Sequence, residues 1–290
     1  MMKERTLRVL EFTKIRDRLA SKAMTDMGRE RCEALVPSSN MTEIQRMQAE
    51  TEEATVILQY VGASPLVPFS DVRASLTLAE KGATLSPKAL LEVAALMQSA
   101  RAARKALDTE RDNTPILKEL AQRLSTLHNV EQDITKAIIS EDDIADRASN
   151  ELMDIRRHLR GANERIKEKL NQMIRSSAFQ KYLQDPIVTM RNDRYCLPVK
   201  AEYRGSVPGL VHDQSSTGAT LFIEPMAAVE MGNELKTWAA KEKQEIERIL
   251  SALSAEIAPY ADQLRETVET LAELDYIFAK GMLSREMNAV

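Results

Sequence analysis

PIVTMRNDRYCLPVKAEYRGSVPGLVHDQSSTGATLFIEP, residues 186–225, stands out in a chain of 290 residues that otherwise reads as helices and their connectors. Proline, glycine and β-branched residues recur in it, and short apolar runs alternate with charge. Those are the marks of short twisted strands joined by tight turns. Residues 187–189 open a strand, and Arg191, Asn192, Asp193 and Arg194 have turn chemistry, because Asn and Asp tolerate left-handed backbone. Residues 195–199 form the return strand, with Pro198 placing it at an edge or a bulge. Gly205 and Gly209 frame a second turn around Val207 and Pro208, Leu210 and Val211 make a third strand, and residues 219–223 a fourth after the polar loop 212–218. Tyr195 and Phe222 are the expected centre of a minimal core. A sheet this small is marginal alone, so it must lean on its flanks.

Both flanks read as long helices. From Ile144 through Ala148, Leu152, Ile155, Leu159, Ala162, Ile166 and Leu170 to Met173, apolar residues step by threes and fours. This is coiled-coil spacing over about 45 Å of helix. The acidic run Glu141, Asp142, Asp143 precedes it, as the helix dipole favours at an N-terminus. The second helix begins near Val229, with Trp238, Ala239, Ile246, Ile249, Leu250, Leu253 and Ile257 as its stripe and Pro259 just beyond. Two helices of similar length separated only by the β segment can run out and back as an antiparallel pair, each burying the other's stripe. They would act as spacers for the β unit. A last helix covers about 260–287.

Residues 1–130 read as a helical domain. One helix covers about 10–23, with Phe12, Ile15 and Leu19 on one face; Asp26 caps a second that ends near Val36 and Pro37; Asn40 and Glu43 form a capping box for a third. The segment 62–71 is irregular, Ser86 and Pro87 start an Ala-rich helix to about Leu107, 108–114 is a polar connector, and Pro115 opens another helix.

Composition narrows the function. Aromatics are only 4%, with 14 Met and one Trp, a balance suited to helical packing. No apolar run is long enough to span a bilayer, the first residues lack a signal-peptide core, and Cys32 and Cys196 alone make neither a disulfide framework nor a zinc pattern. A cytoplasmic protein with no membrane association is expected. The net charge of −4 conceals an asymmetry: residues 156–204 hold 12 Lys/Arg against 5 Asp/Glu. Ligands read charge locally. Arg191, Arg194, Lys200 and Arg204, four cations on a small exposed β unit, are therefore the candidate nucleic-acid contacts, suited to phosphates spaced along a backbone. Pairing with Asp193 and Glu202 on the same turns is the competing reading. His212 beside Asp213, with Ser215 or Ser216 as nucleophile, lacks any oxyanion-hole motif. Asp213 and Glu224 are too isolated to define a metal site. No Gly-rich phosphate loop of the GxxxxGK[ST] kind occurs. No residue is nominated as catalytic or as a metal ligand, and no cofactor is expected in this stretch.

The segments TMRNDRYCLPVKAEYRG and VHDQSSTGATLFIEP resemble the signature of the bacterial type-two MutS family, and LEFTKIRDRLAS, AEKGATLSP, YLQDPIV and LAELDYIFAK extend the resemblance along the chain. It implies a mainly α fold: a helical core domain (1–130), a first lever helix (131–185), a small β clamp (186–228), and a returning lever helix with the helix leading toward an ATPase domain (229–290). The mismatch-reading N-terminal domain, the Walker motifs and the C-terminal Smr-type nuclease domain are absent, so the stretch is expected to be part of a longer protein and inactive by itself. For the intact protein the resemblance implies a homodimeric clamp using ATP and Mg, with an Smr-type endonuclease activity, acting on branched or duplex DNA in suppression of recombination, or on stalled ribosomes and ribosomal RNA. Arg191, Arg194, Lys200 and Arg204 carry over as clamp contacts. The alternative is a coiled-coil arm docking a protein partner such as a ribosomal protein.

Overall fold

The computed structural model describes residues 4–108 and 113–289. The fold is mainly α with a small β insertion. It divides into two compact units, Met1–Ala145 with Leu250–Val290, and Asp146–Ile249.

In the first unit the helices are α1 (Glu4–Val9), α2 (Phe12–Ala20), α3 (Asp26–Glu33), α4 (Met41–Val61), α5 (Arg73–Glu80), α6 (Pro87–Leu107), α7 (Pro115–Gln122) and α8 (His128–Ala137). The short hairpin β1 (Ile138–Ser140) and β2 (Asp143–Ile144) follows, and the unit closes with the end of α11 (Met226–Ile257) and with α12 (Ala261–Met287). α12 is the centre: Leu264, Val268, Leu271, Leu274, Ile277 and Phe278 are all fully buried, and α2 to α7 pack around it. Its one buried acid, Asp275, accepts hydrogen bonds from the Met24 amide (3.0 Å), the Thr25 amide (2.9 Å) and the Thr25 hydroxyl (2.6 Å). The Thr25 Oγ1 in turn accepts from the Gly28 amide, so the start of α3 is satisfied by a carboxylate 250 residues away in sequence. A Cβ on Gly28 would overlap the Asp275 carboxylate.

Several local expectations are corrected. The single helix over 10–23 breaks at Glu11, whose φ of 52° is left-handed. Thr25, not Asp26, caps α3, because the hydroxyl oxygen reaches the Gly28 amide. Asn40 caps α4 through the Thr42 amide, but Glu43 turns to the Ser38 hydroxyl instead of closing the box. Ser86 and Pro87 start α6 as expected. The polar connector over 108–114 lies partly outside the described residues.

The acids Glu141, Asp142 and Asp143 do not start a long helix. They fall at the turn and second strand of the β1–β2 hairpin, and Ile144 is a buried strand residue. The helix begins only at α9 (Asn150–Arg175), where the Ser149 hydroxyl accepts from the Leu152 amide.

Within the second unit α9 and α11 run antiparallel. Contacts pair Ser149 with Glu245, Arg156 with Glu242, His158 with Trp238 and Arg165 with Glu234, partner numbers falling as α9 numbers rise. The α9 stripe Leu152, Ile155, Ala162, Ile166 and Leu170 is buried as its spacing predicts. On α11 the register differs: Ala239 is exposed, while Ala228, Met231 and Leu235 face the core. Between the helices lie α10 (Ser177–Gln180) and strands β3 (Thr189–Arg191), β4 (Arg194–Lys200), β5 (Gly209–Gln214) and β6 (Thr220–Pro225). All pairings are antiparallel, in the order β3-β4-β6-β5.

Pro198 sits on an interior strand, not an edge. Its carbonyl accepts from the Gln184 amide, so its own nitrogen also points to the irregular segment beside β4 and removes no bond from the β4–β6 ladder. Of the expected core pair, Tyr195 packs against the core as a half-buried margin residue, and Phe222 lies outside it. Leu197, Val199 and Ile223 on one sheet face pack with Ile166, Leu170, Leu183, Val207 and Ala228, because alternation sends Phe222 to the opposite face.

Candidate nucleic-acid interface

Asn192 and Asp193 both have positive φ, 50° and 57°, the two-residue turn whose twist suits a hairpin. That turn sets Arg191 opposite Arg194 across β3 and β4. The two arginines nevertheless serve different surroundings. Arg191 lies 4.0 Å over the Phe222 ring and pairs with Asp213 at 3.1 Å. Arg194 has a side chain only 13% exposed and meets the fully buried Glu224 at 3.1 Å. Its other terminal nitrogen donates to Asn233 Oδ1 at 2.8 Å.

Glu224 is the organising acid of this end of the sheet. Its second oxygen lies 2.8 Å from His212 Nε2. A carboxylate only accepts, so that ring nitrogen carries the proton. The Asn192 amide donates to the His212 carbonyl at 2.9 Å, tying the β3–β4 turn to β5. Room for the pair comes from Gly232 on α11, where a Cβ would stand 2.5 Å from Glu224 Oε1 and 2.7 Å from Arg194 Nη1. Cys196 lies in the same buried layer; burial, then the Glu224 charge, pushes its thiol up to about 11, which leaves it an inert core residue. Ser215 Oγ accepts from the Thr220 amide, a turn role, so no nucleophile is assembled on His212.

Lys200 lies at the far end of β4, about 20 Å from Arg194 along the strand. Its amide donates to the Tyr182 carbonyl next to the Leu183–Val199 bridge. Arg204 lies in the short 3-10 turn Ala201–Ser206 and donates to the Gly209 carbonyl at 3.3 Å. The four sequence candidates thus do not form one patch. Neither Asp193 nor Glu202 pairs with them among the described residues; the partners are Asp213 and Glu224.

The basic excess over 156–204 sorts by position. Arg156, Arg157, Arg160, Arg165, Arg191 and Arg194 are in ion pairs. Lys167, Lys169, Arg175, Lys181, Lys200 and Arg204 form none among the described residues. Four of these six were not singled out by sequence. Their signal was available: three fall on the last turns of α9, inside the basic stretch 156–204.

Among the described residues no group of three or more His, Cys, Asp and Glu is placed to hold a metal ion. No described helix is long and apolar enough to cross a membrane.

No family model matches the chain. Curated relatives do. The chain is 48% identical over 291 residues to an Endonuclease MutS2 of Alkaliphilus oremlandii, covering 100% of this chain and 37% of that protein. It is 46% identical to the Endonuclease MutS2 of Acetivibrio thermocellus, again over 100% of the chain and 37% of the relative. The protein of that name from Symbiobacterium thermophilum is 46% identical, with 99% and 36% covered. The chain therefore spans a little over a third of the length of the relatives it matches, and over that length it matches the N-terminal region of MutS2 proteins.

Proposed function

We propose that this chain is the nucleic-acid-gripping part of a MutS2 protein, with the β unit as clamp and the antiparallel α9–α11 pair as its lever. The observation that carries the reading is that six cations of the basic stretch 156–204, Lys167, Lys169, Arg175, Lys181, Lys200 and Arg204, have no carboxylate partner among the described residues and fall between the second half of α9 and the turn before β5. Desolvated arginines elsewhere in the unit are neutralised internally, whereas these six hold their charge for an outside anion. Phosphate backbone is the polyanion that rewards such spacing, through release of its condensed counterions. Arg191 contributes at the margin, from its place over Phe222; Arg194 supports the sheet from within.

The relatives' name, endonuclease, fits a nucleic-acid substrate. Branched DNA, duplex DNA and ribosomal RNA all present the same phosphates. ATP with Mg, a homodimer and nuclease chemistry belong to this proposal for the whole protein and draw on no residue described above.

The test is fluorescence anisotropy of the chain with a four-way DNA junction, a duplex and a ribosomal-RNA hairpin over a salt series. Binding should weaken steeply with salt, by about 0.9 in log–log slope per duplex phosphate neutralised. Absence of binding at low salt, or binding indifferent to salt, would overturn the reading and favour an arm that docks a protein partner.

A further inference from the structure

The chain has few aromatic residues, 4% of the total, yet three of them meet where α10 joins the sheet. The Phe179 and Tyr182 rings meet nearly perpendicular, centroids 5.9 Å apart, and Tyr203, from the turn after β4, lies 5.3 Å from Tyr182 at a tilt of 58°. All three are half-buried, resting on the Leu170, Leu183 and Val199 core. Packing therefore fixes the rings without enclosing them.

One face of Tyr182 reaches the surface, where the exposed Lys181 ammonium lies 4.9 Å over the ring; with no carboxylate holding it among the described residues, that side chain can swing aside for a base. Across the bridge between Leu183 and Val199, Lys200 stands directly opposite Tyr182, its amide bonded to the Tyr182 carbonyl at 3.0 Å. Neither lysine has a carboxylate partner among the described residues. An aromatic ring with one unpaired lysine over it and a second opposite it in the backbone ladder is the combination that single-stranded nucleic acid uses, the base stacking while adjoining phosphates meet the cations.

We propose that Tyr182, flanked by Lys181 and Lys200, is a stacking subsite for an unpaired nucleotide. Phe179 and Tyr203 hold the ring in place. The subsite rests on the nucleic-acid reading above and sharpens it: the preferred ligand carries unstacked bases, as at a junction, a fork or a loop, instead of continuous duplex. Stacking reads only the base face, so the subsite accepts DNA or RNA.

The experiment compares anisotropy binding of the chain to a blunt duplex and to the same duplex with a short single-stranded overhang, in DNA and RNA versions. The overhang should tighten binding about tenfold, the scale of one stacked base. Tyr182→Leu should abolish that gain and leave blunt-duplex affinity unchanged, while Tyr182→Phe keeps it. Thermal unfolding of each variant separates loss of the subsite from loss of fold. On the unmodified chain, an overhang carrying iodouracil should photo-crosslink to the peptide containing Tyr182. Duplex binding with no overhang preference, or a crosslink mapping elsewhere, would overturn the subsite alone. No binding to any nucleic acid would overturn both the subsite and the reading beneath it.

Discussion

Glu224 and Arg194 form a buried ion pair, 3.1 Å apart, in which the acid is wholly inaccessible and the arginine nearly so. The pair closes one end of the four-stranded sheet and ties it to the first turns of α11 through Asn233. Removing one member leaves the other charge stranded in the interior, at a cost of about 3–5 kcal/mol. Glu224→Ala should therefore lower the stability of the chain by that order in urea unfolding. Gly232→Ala should also destabilise, despite alanine's better helix propensity, because its Cβ meets both charged groups. Wild-type stability in Glu224→Ala would refute the structural role.

The same geometry separates two kinds of arginine and lysine substitution. Lys200→Gln should reduce the slope of log affinity against log salt by about 1 while leaving urea unfolding unchanged. Arg194→Gln should do the reverse: stability falls, and the salt slope holds in the folded fraction. Finding equal slope changes in both would mean that Arg194 leaves Glu224 to contact the ligand.

Asp275 and Gly28 make a comparable pair of predictions in the first unit. Asp275→Ala strips the acceptor from the Met24 and Thr25 amides and from the Thr25 hydroxyl at once. Stranding the two buried Thr25 donors should cost about 1–3 kcal/mol each before relaxation, and the part-buried Met24 amide less. Gly28→Ala should push the carboxylate off the same donors. Thermal unfolding checks both, and a midpoint unchanged in either variant counts against the close fit.

Acid should weaken the second unit through Asp146. Hydrogen bonds from Arg156 and then Arg160 hold its carboxyl below the usual range. A carboxylate with a depressed folded pKa contributes stability that is complete above its unfolded value, about 3.9, and is lost as pH falls through the lower folded value. The unfolding midpoint should drop on titration below about pH 4, and Arg156→Gln should flatten that drop. Because Asp146 is half-exposed, the effect should also shrink in high salt. A slope identical in wild type and Arg156→Gln would place the acid sensitivity elsewhere.

Local chemistry was legible where it depends on near neighbours. Helix starts at Ser86 and Pro87, the Asn192–Asp193 turn, and the apolar stripe from Leu152 to Leu170 are set by backbone preferences and by a period of 3.6 or 2, and all are present. The acidic run at Glu141 misled because a helix start and a hairpin turn both welcome acids. The inward face of α11 was harder to read, since Ala239 satisfies the spacing without being covered.

By sequence alone this chain declared two long amphipathic helices around a short-stranded insert, an excess of positive charge between residues 156 and 204, and a signature shared with MutS2 proteins, all properties of neighbouring residues or of composition. Only the tertiary structure decided which charges are spent. Arg194 is neutralised by Glu224, 30 residues on, and Arg191 by Asp213, 22 residues on, whereas Lys200, whose amide bonds the Tyr182 carbonyl, has no carboxylate partner among the described residues. An ion pair forms by distance in space, and strand order and alternation, not sequence separation, set that distance.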